Sequence, residues 1–185
     1  MPHPVTRYIL AFTPLAVSLL ILLGGGTLLQ RISARSGEVP ALRAAAGQPL
    51  YRRLRYCPAS VDAYWKALQP AGRVAERRFL ELDLLFPFFY GAGFTAGLLY
   101  LWASLGRSFP PAWLVGLVAL AMLADWTENL VQLQQLARYE RLASSGLQSS
   151  SIALASAATL LKLVCCTASL LLLFILACAA LRPRS

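Results

Sequence analysis

The sequence predicts an all-α fold, a four-helix transmembrane bundle with a short amphipathic, interfacial segment between helices 1 and 2. Two observations lead there. Residues 8–30, 82–105, 111–136 and 152–181 are apolar stretches, each long enough to cross the hydrocarbon core as a helix. The chain of 185 residues is 58% hydrophobic with a mean hydropathy of +0.60, more apolar than an ordinary soluble domain. A single integral membrane domain over residues 1–185 is the economical reading.

The first stretch has the position of a signal peptide but not its grammar. Only Arg7 precedes it, and it ends in Gly24, Gly25, Gly26 and then Arg31, without an A-x-A cleavage pattern. An uncleaved anchor is expected.

The connection 31–81 is the sizeable polar region. Ten of its residues are cations, from Arg31 and Arg35 to Arg77 and Arg78, and Arg138 and Arg141 add two in the third connection. The opposite side carries four, Arg7, Arg107, Arg182 and Arg184. Basic bias over short connections sets orientation, so 31–81 is expected in the cytoplasm and both termini outside. The formal charge of +9 is matched by no nucleic-acid-binding motif, which leaves anionic lipid headgroups as the expected counter-charge. Pro40, Pro49, Pro58 and Pro70 punctuate the segment, with room for a short helix near residues 60–68. From Arg73 the chain is expected to run as helix directly into the second span. Tyr51, Tyr56, Tyr64 and Trp65 interleave with Arg52, Arg53, Arg55 and Lys66. That mixture suits the headgroup layer, where rings sit at the interface and cations meet lipid phosphates; a solvated basic loop is the alternative.

The second span opens with Glu81 and Asp83, and its face through Asp83, Pro87, Tyr90, Phe94 and Gly97 brings an acid toward the cytoplasmic half. Pro87 lies in the first turns, where a missing N–H costs little. Gly93 and Gly97 form a GxxxG, a motif that permits close helix approach.

On the third span Ala121, Asp125, Glu128, Gln132 and Gln135 recur at three- and four-residue steps, so they share one polar face with Asn129 beside it. On the fourth, small and polar residues from Ala155 to Ser169 surround Lys162. At 1.5 Å rise per residue, Asp125 lies ~16 Å from the cytoplasmic end of its helix and Lys162 ~15 Å from the start of the next. The levels match, so a salt bridge from Lys162 to Asp125 or Glu128 is expected, with Asn129 hydrogen-bonding what remains. Three acids, Asp83, Asp125 and Glu128, then stand against one lysine. Either an acid is protonated or the site opens to water, a cation or a cationic headgroup. A polar core that sets helix register is the competing explanation.

Several chemistries are excluded. His3 is the sole histidine and lies at the N-terminus, away from these acids, so bis-histidine haem, His-rich metal sites and a Ser/His/Asp triad are ruled out. Cys57, Cys165, Cys166 and Cys178 include no CxxC. No GxGD context surrounds the aspartates, and no phosphate-binding loop or dinucleotide fingerprint is present. Neither a metal nor a cofactor is expected.

Leu82-Asp83 with Phe86, Pro87 and Tyr90, Asp125 with Glu128-Asn129, and Lys162 form a pattern that resembles an uncharacterised group of small bacterial four-span integral membrane proteins. The resemblance covers the second to fourth spans. It implies the architecture and supplies no activity; the bacterial inner membrane is the expected location. Three functional expectations follow from the residues. In the first, the chain binds a membrane lipid or another amphipathic ligand, with the acids taking the head while Tyr90 and Phe94 line the tail path. In the second it is an accessory subunit that packs against a larger membrane complex, with a membrane-protein partner or a homo-oligomer as the assembly and the charges being structural. In the third it is an intramembrane enzyme using Asp125 or Glu128 as acid or base, and no activated nucleophile accompanies them.

Overall fold

The computed structural model describes residues 4–33 and 39–182; His3, Arg35 and Arg184 lie outside them. The described chain is helical, with no strand among those residues. Its elements are α1 (Pro4–Ser33), α2 (Val39–Ala46), α3 (Pro58–Asp83), α4 (Phe86–Ser104), α5 (Ala112–Leu142) and α6 (Ser149–Leu181), with single 3₁₀ turns at Leu50–Arg52 and Ala143–Gly146. Four helical segments are long and apolar enough to cross a membrane: α1, α3 with α4, α5 and α6.

Helices α5 and α6 pack most extensively, as expected of antiparallel neighbours joined by one short turn. Helix α4 packs on both, and α1 lies against α4 and α6. The Gly93/Gly97 motif marks this last approach: a Cβ at Gly97 would stand 2.9 Å from Pro14 and 3.0 Å from Leu173, and one at Gly93 3.0 Å from Ile21.

The expected continuous helix into the second span is interrupted at Leu84 and Leu85, where α3 gives way to α4. Pro87 supplies the reason. It has no N–H for the carbonyl of Asp83, four residues earlier, and its ring crowds that position. The carbonyl of Leu84 accepts a 2.8 Å hydrogen bond from Trp126 Nε1, so α5 holds the break in place. A second bend falls at Gln69, whose φ of 56° lies just before Pro70.

Two apolar clusters result. One fills the bundle with Tyr90, Phe94, Leu98, Leu101, Leu114, Val118 and Leu173. The other, at the α2–α3 end, contains Leu50, Tyr56, Val61, Tyr64, Trp65, Leu68 and Tyr139. The second corrects the headgroup-layer reading for Tyr56, Tyr64 and Trp65, whereas Tyr51 is half-buried. Trp65 is 1% exposed and meets the Tyr139 ring edge-on at 5.4 Å, and Tyr64 is 2% exposed. Val61, Tyr64, Trp65 and Leu68 have i, i+3, i+4, i+7 spacing, the signature of a buried helix face, and that periodicity outweighs the interfacial preference of the rings. Arg52, Arg55 and Lys66 are exposed. Arg53 is half-buried, its guanidinium over the Tyr64 ring and its Nε donating to Gln48 O at 2.8 Å.

Candidate functional site

Between Ala121, in the first cluster, and Leu136, in the second, α5 turns a buried polar face toward α6 and α3. Asp125, Glu128, Asn129 and Gln132 are each at most 3% exposed. Lys162 of α6 places Nζ 3.0 Å from Asp125 Oδ1 and 2.6 Å from Glu128 Oε2. The expected ion pair therefore involves both carboxylates, not one. A single ammonium with its donors on two acids recovers much of the cost of burying all three groups, provided the remaining lone pairs are satisfied.

Two amides do this. Asn129 Nδ2 donates to Asp125 Oδ1 at 3.3 Å and to Asp83 Oδ2 at 3.1 Å. Asp83 sits at the α3–α4 break, so the interruption caused by Pro87 places the third acid against the polar face. Gln132 Nε2 donates to Glu128 Oε1 at 3.0 Å and to the Tyr56 hydroxyl at 3.1 Å. That hydroxyl lies 3.3 Å from Thr159 Oγ1, which donates its own proton to Ala155 O at 3.0 Å, so Tyr56 is the donor to Thr159. The backbone N–H of Tyr56 donates to Ser156 Oγ at 3.0 Å. Tyr56 thus closes the network from the α2–α3 end. Burial, reinforced by the negative charge of Glu128, pushes its phenol up to about 12.

The six residues predicted as a polar network come together. Asp83, Asp125, Glu128, Asn129 and Lys162 are joined by the contacts above. Tyr90 stands beside Asp125. Its hydroxyl is buried and has no partner in hydrogen-bonding geometry.

A cavity of about 530 Å³ reaches this layer. Its floor is Asp83, Asp125 and Lys162, its inner wall Phe79, Phe86 and Tyr90, and its flanks are Leu22 and Gly26 of α1 with Cys166 and Leu170 of α6. Exposed residues border it on two sides: Gln48 and Arg52 by the 3₁₀ turn, and Leu23, Thr27 and Thr167 on the outer surfaces of α1 and α6. Phe94 takes no part. It is fully buried in the bundle cluster, and Phe86, two turns earlier, lines the cavity instead.

A fourth buried acid escaped the sequence reading. Glu76, 1% exposed, pairs with Arg43 at 3.5 Å, and Arg43 also donates to Gln30 O at 3.3 Å, Ser33 Oγ at 3.2 Å and Ala75 O at 3.4 Å. One guanidinium thereby ties the end of α1 to α2 and α3. Glu76 and Asp83 are seven residues apart, two helical turns on one face, which was the available signal. The roles of Tyr56 and Arg43 left no comparable trace.

Compared with protein-family models, curated proteins and solved structures, the chain matches none.

Proposed function

We propose that this four-span membrane protein binds a membrane lipid or a similar amphiphile in the cavity between α1 and α6. The observation that carries the reading is the cavity itself, about 530 Å³ with apolar walls ending on Asp83, Asp125 and Lys162. Mostly apolar pockets with a few convergent polar groups are the usual form of a small-ligand site. A lipid enters such a cavity sideways, chain against Leu22 and Leu170 and head on the acid floor. Within this reading the basic 31–81 connection faces the cytoplasm, the termini lie outside, and the bacterial inner membrane supplies the ligand.

The accessory-subunit reading draws on a different observation. Lys162 is already shared by two carboxylates, an arrangement that by itself fixes the register of α5 against α6. The experiment separating the two is lipid mass spectrometry of the purified protein and of Gly26→Phe, at a position where an added Cβ meets nothing within 4 Å. Filling the cavity should remove a specific co-purifying lipid without lowering the melting temperature. An unchanged lipid inventory rejects ligand binding and favours the structural subunit.

A further inference from the structure

The charges around the cavity are ordered. At its base Lys162 is committed to Asp125 and Glu128, so it offers little to an incoming anion. Asp83, also on the floor, receives a single neutral amide from Asn129 and forms no ion pair among the described residues. The Tyr90 hydroxyl, on a side chain 1% exposed, lines the same cavity without a hydrogen-bond partner. Aromatic rings flank this end in two pairs, Tyr51 stacked on Phe79 at 4.9 Å and Phe86 edge-on to Tyr90 at 5.5 Å. At the exposed border stands Arg52, whose guanidinium lies over the Tyr51 ring at 5.7 Å and pairs with no carboxylate among the described residues. From the exposed border inward the cavity therefore presents Arg52, then aromatic rings, then an acid that stands outside the Lys162 ion pair.

Resting on the ligand-binding reading above, we infer that the cavity takes a zwitterionic phospholipid, its ammonium at Asp83 and Tyr90 and its phosphodiester at Arg52. The chemistry is complementary at each level. An ammonium beside Asp83 supplies the positive charge that three carboxylates and one lysine lack, and desolvation strengthens that pairing. Ring faces attract a primary or a quaternary ammonium alike. A primary ammonium also donates N–H bonds to the carboxylate and to the orphaned Tyr90 oxygen. A purely anionic head would be repelled by Asp83 and held at Arg52 alone. A head without charge would leave Asp83 uncompensated.

The test is native mass spectrometry of the full-length protein titrated with four dioleoyl lipids: phosphatidylethanolamine, phosphatidylcholine, phosphatidylglycerol and diacylglycerol. The ammonium lipids should be retained on the order of tenfold more than the other two, the worth of one charge-assisted hydrogen bond. Retention of phosphatidylethanolamine alone identifies a primary ammonium, and retention of both a cation held chiefly by rings and charge. Asp83→Asn should erase the preference, and Arg52→Gln should weaken both ammonium phospholipids while sparing oleylamine, a fifth probe that has no phosphate. Equal retention of phosphatidylglycerol or diacylglycerol by the wild type, lost in Gly26→Phe, overturns the head-group assignment and leaves the cavity as a binding site. Retention of every lipid by Gly26→Phe overturns both. Because the wild-type panel decides the head group by itself, misfolding of Asp83→Asn would not shield the inference.

Discussion

Lys162 Nζ lies 2.6 Å from Glu128 Oε2, an ion pair in which the acid is fully buried and the lysine side chain 12% exposed. In such a setting, removing one partner does more harm than removing both, because a lone charge remains at membrane depth.

Lys162→Ala should therefore lower stability by roughly 3–5 kcal/mol. Adding Glu128→Gln or Asp125→Asn should recover part of that loss. Denaturation of the singles and the two double variants in detergent measures the coupling, and strict additivity in both pairs would contradict the shared ion pair.

Tyr56→Phe deletes a hydroxyl that links Gln132 to Thr159. The expected loss is about 1 kcal/mol per hydrogen bond, read from melting curves. A pH effect accompanies it. The folded phenol holds its proton to about pH 12, above the ordinary value of 10.0, so its contribution is complete below pH 10 and fades as pH rises toward 12. Tyr56→Phe should flatten that part of the stability profile, and an unchanged slope would place the titration elsewhere.

At Gly97 a new Cβ would press on Pro14 and Leu173, whereas at Gly116 it would meet nothing within 4 Å. Gly97→Val should cost about 1–3 kcal/mol through overpacking between α1, α4 and α6. Gly116→Ala should leave the melting temperature unchanged or raise it slightly. Equal effects would mean that the α1–α4 approach is not close.

Cys57 is the exposed cysteine among the four, at the N-terminus of α3. Backbone and side-chain hydrogen bonds from Ser60 hold its thiol below the ordinary value, which favours the reactive thiolate. In a variant retaining only this cysteine, an impermeant maleimide should label permeabilised cells and spare intact ones if the 31–81 connection is cytoplasmic. Labelling of intact cells would reverse the orientation.

The sequence alone determined the helical class, the four apolar segments and the inward faces of α5 and α6, because each is a matter of local length or periodicity. Asp125, Glu128 and Asn129 declare one face by their spacing, and Lys162 announces a partner because an unpaired cation is costly in hydrocarbon. Tertiary structure decided what local pattern cannot. It turned Trp65 inward, brought Tyr56 across 103 residues to Thr159, and replaced Phe94 by Phe86 along the cavity. It also set Asp83 at the break before Pro87, where the third acid meets Asn129 rather than the lysine. The physical reason is common to all four. Periodicity reports which side of a helix is buried, but the identity of the atoms across the gap depends on how bent helices pack, and the bends at Gln69 and Leu84 set that packing.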